Sequence, residues 1–192
     1  MSSTPASPAS PNDTREQIIR TARELLMTRS YLGFSFQDIA DRVGIRKPSL
    51  YHHFATKDAL AIEVLRRSRT SFERWTGGMQ LTAAKKVDAY IKMYRDTLGA
   101  GRVMCPAGAL APGWDVVDPA VREEVRLIRQ VQIDWLTDVF TELGERAPRA
   151  RARAGHLFAL CQGALATARM TGDVAEFDEV IATARRGTPL SP

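Results

Sequence analysis

A short polar segment after Gly44 carries the side chains best suited to bind another molecule. It contains a guanidinium, an ammonium, hydroxyls and two imidazoles, on Arg46, Lys47, Ser49, Tyr51, His52 and His53. Such groups donate hydrogen bonds to phosphate oxygens and to the edges of bases. The adjacent imidazoles do not predict a metal site, because neighbouring helix side chains point about 100° apart. No other His/Cys cluster has the spacing of metal ligands, so we expect neither a metal nor a cofactor.

Two short predicted helices frame this segment. The first begins after Ser35, with Asp38 at capping-box distance, and Gly44 ends it after about two turns. The second begins near Lys47, with Pro48 in its first turn, where a missing N–H costs nothing. The apolar residues expected to support both helices are Ile39, Ala40, Val43, Ile45, Leu50 and Phe54. This arrangement is typical of a helix-turn-helix, whose second helix fits the major groove of DNA, about 12 Å wide.

The rest of the chain also predicts helices, and it contains no convincing period-2 strand. A first helix is expected to begin at Asp13, with a capping box to Glu16, and to end near 31–33. A Gly/Pro-rich segment over 99–117 allows at most a short helix around 107–111. Further apolar faces at helical spacing predict helices over about 56–75, 81–98, 119–143, 149–171 and 174–186. We therefore predict an all-α fold, with a disordered tail over 1–12 and a second tail over 188–192.

The stretch from Phe36 to Leu60 closely resembles the N-terminal domain of TetR-family transcriptional regulators. The family pattern runs roughly I-A-x-x-x-G-V-x-x-x-x-L-Y-x-[HY]-F-x-x-K-x-x-L, and this chain matches it at Ile39, Ala40, Gly44, Leu50, Tyr51, His53, Phe54, Lys57 and Leu60. The resemblance covers about residues 14–62. It implies a three-helix DNA-binding domain over 13–57, a linking helix from 57, and a helical effector-binding and dimerisation domain over 58–187.

The resemblance also implies roles for individual residues on double-stranded operator DNA. Base edges would be contacted by Gln37, Lys47, Pro48 and Ser49, and phosphates by Tyr51, His53 and Lys57, while His52 would contact either. Arg46 departs from the family, which often has Ser or Thr at this cap. We interpret Arg46 as a groove or phosphate contact, the alternative being a solvated side chain. For Tyr51 and His53 the alternatives are a packed aromatic ring and a surface imidazole.

DNA binding by this motif requires two copies, which in a symmetric dimer read half-sites about 34–36 Å apart or a family variant of that spacing. The resemblance implies a homodimer held by the last two long helices as a four-helix bundle. The residues assigned to this interface are Leu157, Leu160, Cys161, Ala164, Leu165, Ala168, Phe177, Val180, Ile181 and Ala184. The alternative is that one of these faces packs on its own subunit.

A repressor released by a small ligand is the function that the resemblance implies. Aromatic and sulfur side chains are the expected lining of the ligand site, although each alone is more often core: Tyr90, Met93, Tyr94, Met104, Cys105, Trp114 and Trp135. The stretch from Cys105 to Leu110 is similar to a C-P-x-G-x-L segment in one subgroup of the family, some members of which sense electrophiles or oxidants. Near a helix start and Arg102, the Cys105 thiol is expected to have a lowered pKa. The alternative is a small buried hydrophobe, which is also our interpretation of Cys161.

Composition and motifs exclude other classes of protein. The chain has 192 residues, 44% of them hydrophobic, and a net charge of +5 carried mainly by the first 75 residues. No apolar run approaches a membrane span, the N-terminus does not resemble a secretory signal, and two cysteines are too few for a disulfide scaffold, so we expect a cytoplasmic protein. Cys105 and His156 are a nominal nucleophile and base, but no catalytic motif accompanies them, and we predict that the protein is not an enzyme. A DNA-binding regulator without a small-molecule effector remains the second alternative.

Overall fold

The computed structural model describes residues 11–99 and 103–187. Residues 1–10 of the tail predicted over 1–12, the tail predicted over 188–192, and Arg102 lie outside the described residues, while residues 11 and 12 are helical. Within them the chain forms eight α-helices, one 3-10 helix and no strand, which confirms the all-α prediction. The helices are α1 (Pro11–Arg29), α2 (Phe36–Val43), α3 (Lys47–His53), α4 (Lys57–Gly77), α5 (Ala83–Leu98), the 3-10 helix (Gly108–Gly113), α6 (Pro119–Glu142), α7 (Ala147–Thr171) and α8 (Ala175–Gly187).

Helix α1 differs from the prediction at both ends. It begins at Pro11 rather than Asp13, because proline is tolerated in a first helical turn, and Asp13 lies inside that turn. It ends at Arg29, where Ser30 takes a left-handed conformation with φ of 62°. Gly33 completes the turn, and a Cβ there would lie 2.0 Å from the Arg29 carbonyl oxygen. Only glycine fits this turn, so the predicted glycine stop is real but acts after the helix has ended.

Three predicted helix starts agree with the structure and have the expected side-chain caps. The Ser35 hydroxyl accepts from the Asp38 N–H, and the Asp38 carboxylate accepts from the Ser35 N–H at 2.7 Å, which completes the capping box of α2. The Thr56 hydroxyl accepts from the Ala59 N–H at 3.0 Å at the start of α4. At the start of α6, the Asp118 carboxylate caps the Ala120 N–H at 2.8 Å.

Two hydrophobic cores share α4. The first lies among α1, α2, α3 and the N-terminal half of α4, and it also receives Leu110 of the 3-10 helix and Val121 of α6. The second lies among the C-terminal end of α4 and α5 to α8, around Tyr90 and Phe140. Helix α4 is about 30 Å long at 1.5 Å per residue. It therefore connects the helix-turn-helix rigidly to the second core.

Neither a membrane-spanning helix nor a metal site is found in the part of the chain that the structure describes. No helix there is both long enough and apolar enough to cross a membrane. The same residues contain no group of three or more His, Cys, Asp or Glu side chains arranged to hold a metal ion.

Candidate nucleic-acid interface and internal cavity

The turn between α2 and α3 is set by Gly44. Its φ of 76° lies in the left-handed region that favours glycine. The N–H groups of Gly44 and Ile45 both donate to the Ala40 carbonyl, at 2.9 Å and 3.0 Å. These bonds close the end of α2 and turn the chain sharply into α3. Arg46 occupies the N-cap of α3 and makes no side-chain cap bond, as its non-hydroxyl side chain predicts.

Helix α3 has only seven residues, and tertiary packing holds it in place. Leu50 is fully buried and Phe54, just after the helix, is 5% exposed, both in the first core with Ile39 of α2. Burying a leucine side chain stabilises a fold by about 1.5–3 kcal/mol. The guanidinium of Arg15 lies 4.9 Å from the centre of the Phe54 ring and covers its outer face. The predicted supports are therefore correct, and they orient the opposite face of α3 to solvent.

That opposite face brings together the residues predicted to contact DNA. Arg46, Lys47, Pro48, Tyr51 and His52 are exposed, and Ser49 and His53 are half-buried. In the described part of the chain, the side chains of Arg46, Lys47, Ser49, His52 and His53 make no hydrogen bond or ion pair. A helix face with this many unused donors is available to an acceptor-rich partner.

Tyr51 and Gln37 complete this surface from the two helices. The Tyr51 ring lies 5.2 Å from the Phe36 ring, yet half of the residue remains exposed. Tyr51 is therefore both a packed aromatic and a surface hydroxyl. Gln37 is exposed on α2, and its amide donates to the Asp41 carboxylate at 2.7 Å. Its contact with a base would require this local bond to open.

Lys57 lies at the start of α4 and is engaged within the chain. Its ammonium donates to the carbonyl oxygens of Tyr31 and Phe34 and lies 4.4 Å and 4.2 Å from the centres of their rings. Burial lowers the pKa of Lys57. The Tyr31 hydroxyl in turn donates to Asp58 at 2.8 Å. Lys57 therefore fastens the loop between α1 and α2 to α4, and its phosphate contact stays a prediction.

A cavity of about 650 Å³ lies between α4, α5, α6 and the segment before the 3-10 helix. Its size falls in the usual range for small-molecule sites. Of the residues predicted to line a ligand site, Met93, Tyr94 and Cys105 contribute to its wall. Its apolar surface also includes Phe72 and Trp75, at the end of α4.

The other four predicted ligand residues lie outside the lining. Tyr90 is fully buried, and Trp135 stacks on it at 6.0 Å between ring centres. Met104 packs between the two cores. Trp114 lies at the end of the 3-10 helix, 6.0 Å from the Arg122 guanidinium. Their contacts are those of packing residues, and a direct contact with ligand stays a prediction for them.

A hydrogen-bonded network closes the inner side of the cavity. Tyr90 and Tyr94 both donate to the Gln132 amide oxygen, at 2.8 Å and 3.0 Å. The Gln162 amide donates to the Tyr94 hydroxyl at 3.3 Å, and the Cys105 thiol donates to the Gln162 oxygen at 3.1 Å. The network joins α5, α6, α7 and the segment before the 3-10 helix. Each of these buried polar groups thus has a partner in the chain.

The expectation of a lowered pKa for Cys105 is wrong. Part of the residue reaches solvent, but burial raises the pKa of its thiol, and this outweighs the Gly108 N–H bond to the sulfur, which favours the thiolate. The helix that follows is a short 3-10 helix, which offers little dipole to the sulfur. Burial likewise raises the pKa of Cys161 to about 12, in agreement with its structural interpretation.

Comparison with known proteins agrees with this geometry. Residues 18–64, from within α1 to within α4, match the family described as bacterial regulatory proteins, tetR family. The described fold superposes on a TetR-family transcriptional regulator from Agrobacterium tumefaciens with a TM-score of 0.81 and 28% identity, covering 92% of this chain and 98% of that one. Residues 18–64 thus match the TetR-family N-terminal domain, and the fold of the described residues is similar to that of a TetR-family regulator.

Two curated TetR-family relatives show how far the sequence similarity extends. The transcriptional repressor KstR2 of Mycolicibacterium smegmatis is 37% identical over 62 residues, which is 32% of this chain and 30% of KstR2. The transcriptional activator FasR of the same organism is 28% identical over 158 residues, 78% of this chain and 69% of FasR. Both relatives are named as transcriptional regulators, and the prediction of a chain that is not an enzyme agrees with them.

Most residues assigned to the dimer interface already pack within the single chain. Seven of them are at most 6% exposed in the single subunit: Leu157, Cys161, Ala164, Leu165, Ala168, Phe177 and Ile181. They belong to the second core, which was the alternative interpretation of these faces. Leu160, Val180 and Ala184 remain half-buried and retain surface for a partner. The seven buried residues therefore have almost no area left to bury against a second subunit.

Sequence reasoning missed two residues of the cavity wall, Gln132 and Arg69, and one residue behind it, Gln162. Gln132 and Gln162 form its inner network, but isolated glutamines on helices give no signal of burial. Arg69 lines the cavity, and its Nε atom is buried without a hydrogen-bond partner. In the sequence it lies among several arginines on α4 that resemble an ordinary solvated face.

Proposed function

We propose that this chain is a homodimeric transcriptional repressor that binds a palindromic operator and releases it when a small molecule binds. The exposed row of unused donors on α3, held by buried Leu50 and Phe54, supports DNA binding above all other observations. A rigid helix of this kind presents its N-terminal side chains to base edges in the major groove. In this arrangement Lys47, Pro48, Ser49 and Gln37 read bases, and Tyr51, His52, His53 and Arg46 contact phosphates or the groove wall.

Selection from random duplexes, followed by affinity measurements with Lys47→Ala, tests this proposal. If Lys47 reads bases, the variant should lose about 1–3 kcal/mol of binding free energy on the selected operator and much less on random DNA. Lys85→Ala on α5 removes an equal charge from an exposed position outside this surface and serves as the control. Equal losses on both duplexes would make Lys47 a backbone contact, and no duplex preference at low salt would contradict the proposal.

We propose that the outward face of α7 forms the centre of the dimer interface. This face carries Ala152, Ala159, Gly163 and Ala166, followed by Met170, which is 79% exposed. Small side chains allow two helices to approach closely, and an exposed methionine supplies apolar area. Leu160 and the half-buried Val180 and Ala184 of α8 would flank it. Helices α7 and α8 thus keep the dimerisation role, with three of the residues that the apolar faces indicated at its flanks and different residues at its centre.

The proposed release of DNA requires coupling between the cavity and the helix-turn-helix. Helix α4 lines the cavity with Phe72 and Trp75 and holds the loop after α1 with Lys57 at its other end. A second connection runs through the segment beside the cavity, where the Met104 N–H donates to the Met27 carbonyl at 2.9 Å. A ligand that prefers one position of α4 and this segment would change the separation of the two α3 helices.

A regulator that senses electrophiles through Cys105 is the second candidate. The position of Cys105 in the cavity wall and its bond to Gln162 favour it, because a modified sulfur would break the inner network. The raised thiol pKa opposes it, since the thiolate is the reactive form. A thermal-shift screen distinguishes a regulator with a reversible effector from an electrophile sensor and from a regulator without any effector. A ligand at 100 times its Kd adds about 2.7 kcal/mol of stability.

A further inference from the structure

The charged residues of the cavity lining are mainly cationic. Arg23 of α1, Arg67 and Arg69 of α4, and Lys92 of α5 all contribute to it, whereas Asp96 is the single acid in this lining. Arg23, Lys92 and Asp96 are exposed, and Arg67 and Arg69 are half-buried, so the charges lie where the lining reaches solvent. A ligand with a negatively charged group would meet a favourable potential there.

Two of the four cations are not fully paired inside the chain. Arg67 is engaged by Glu16 and Glu63, and Lys92 by Asp96 at 2.7 Å. By contrast, Arg23 makes no hydrogen bond or ion pair with any residue that the structure describes.

Arg69 has acidic neighbours, but they hold it weakly. Its guanidinium lies 3.3 Å from the Glu73 carboxylate and 3.7 Å from that of Glu124, and its buried Nε has no hydrogen-bond partner. The Nε atom of Arg69 is too buried for a ligand to reach, but its single bond to Glu73 leaves other N–H groups, as does the unpaired Arg23. Guanidinium N–H groups form paired hydrogen bonds with carboxylates.

The inner side of the cavity suits the uncharged part of a ligand. The polar groups of Tyr94, Gln132 and Cys105 already bond to each other or to Gln162. A charge placed against them would lose water without gaining a counter-ion, which is costly. The adjacent walls include Phe72, Trp75 and Met93, whose flat or polarizable surfaces pack well on an apolar body.

We propose that the cavity binds an organic acid, with an aromatic or long aliphatic body inside and its carboxylate paired with Arg69 and Arg23. This assignment names the class of effector for the repressor and rests on that proposed function. The carboxylate points to the exposed part of the lining because four cations and one acid lie there and the inner polar groups are already satisfied. The body fills the space between α4, α5 and α6, where it contacts the element that leads to the helix-turn-helix.

Binding of matched sets of acid, amide and amine by the full-length chain tests the assignment. Naphthalene-2-carboxylate, naphthalene-2-carboxamide and 2-naphthylmethylamine form one set, and biphenyl and ten-carbon aliphatic sets vary the body. Calorimetry should show that the acid binds most tightly in at least one set, and that added salt weakens only the acid. An amide or amine that binds as tightly as its acid in every set, or a failure of all the acids to bind, overturns the assignment.

Variants that each replace one arginine with methionine test where the ligand's carboxylate binds. Arg69→Met should weaken the best acid about fivefold and leave its amide unchanged, since a partly exposed ion pair contributes up to about 1 kcal/mol. Arg23→Met should act in the same direction and does not disturb the buried Glu124. Arg74→Met removes a charge from the exposed surface of α4 outside the lining and should have no effect. Unchanged acid affinity in both Arg69→Met and Arg23→Met overturns the assignment.

The operator selected from random duplexes distinguishes failure of this inference from failure of the repressor proposal. An acid that binds and lowers affinity for the operator supports both. An acid that binds a chain with no duplex preference supports the ligand class and contradicts the repressor. A chain that selects an operator but binds no acid contradicts the ligand class alone.

Discussion

The ammonium of Lys57 has two competing roles. The resemblance to other regulators gives it a phosphate contact, whereas its bonds to the Tyr31 and Phe34 carbonyls give it a structural one. We expect Lys57→Ala to lower the free energy of unfolding by about 1–3 kcal/mol, because it leaves two acceptors of buried residues without their donor. Urea denaturation measures this loss, and Lys85→Ala, an exposed control, should stay within about 0.5 kcal/mol of the parent. A Lys57→Ala chain as stable as the parent would contradict the structural role.

The salt dependence of DNA binding isolates the other role of Lys57. If its ammonium also neutralises a phosphate, the slope of log affinity against log salt should fall by about 0.9 in Lys57→Ala. Measurements at 10 °C or with added osmolyte keep the less stable variant folded. An unchanged slope would remove Lys57 from the phosphate contacts and leave it as a purely structural residue.

The thiol of Cys105 provides a test by pH. Because burial raises its pKa, the thiolate fraction near pH 7.5 is smaller than that of an unfolded chain, and the reaction with iodoacetamide should be slower. The rate should still increase with pH where the thiols of the unfolded chain have already reached their maximum rate, because the pKa of Cys105 is higher than theirs. Peptide mapping by mass spectrometry separates Cys105 from Cys161, and the chain in urea is the reference. Faster modification of folded Cys105 at neutral pH would support the electrophile sensor instead.

The surroundings of a single residue could be predicted where its type fits its position in a motif. The donors of α3 follow a glycine turn and a proline start, and the structure leaves them unpaired on the surface. Gln132 and Gln162 carry no such pattern, because their burial depends on four segments meeting at one point. The raised pKa of Cys105 has the same origin, since its neighbours in sequence suggest activation and its neighbours in space bury it.

The capping box of α2 controls how firmly the turn before α3 is held. Ser35 and Asp38 satisfy each other's backbone N–H groups at the start of this eight-residue helix. Ser35→Ala should therefore cost about 1 kcal/mol of unfolding free energy. Thermal denaturation measures the loss. Ser35→Thr keeps the hydroxyl that accepts from the Asp38 N–H and donates to the Asp38 carboxylate, so it should recover most of the loss. A loss in Ser35→Thr as large as that in Ser35→Ala, or no loss in Ser35→Ala, would contradict this role of the cap hydroxyl.

Element ends were predictable where a cap or a glycine marks them. Ser35, Thr56 and Asp118 cap their helices as their types predict. The starts of α1 and α7 were placed two residues late because Pro11 and Pro148 were interpreted as lying outside the helices. Proline is compatible with either side of a helix start, so local sequence does not decide between them.

Assembly was the hardest property to predict because an apolar helix face does not reveal what covers it. The strongest face of α7, around Leu157 and Leu165, faces the same chain. The opposite face, with Ala159 and Gly163, has little hydrophobic signal, but it is the face that remains open. The large apolar residues of the strongest face are buried in the second core of their own chain. The small residues of the opposite face remain exposed, where the proposed contact between subunits would use them.

Gly163→Arg should convert the proposed dimer into a folded monomer. Apart from its chain neighbours and the adjacent backbone of α7, no described atom lies within 4 Å of the position that a Cβ on Gly163 would take, so the single subunit has room for the new side chain. Two guanidinium groups facing each other across a two-fold axis would repel and keep the α7 helices apart. Light scattering after gel filtration measures the mass, and Thr70→Arg on the exposed surface of α4 is the matched control.

The monomer should also lose operator preference while it keeps weak binding to any duplex at low salt. One α3 helix contacts too few base pairs for selectivity, whereas phosphate contacts by Arg46 and its neighbours need no second subunit. Fluorescence anisotropy on the selected operator and on its isolated half-site distinguishes operator preference from binding through phosphate contacts alone. If Gly163→Arg remains dimeric with parental affinity, the outward face of α7 is not the interface. If it becomes monomeric and still distinguishes the full operator from a half-site, recognition does not depend on two-fold symmetry.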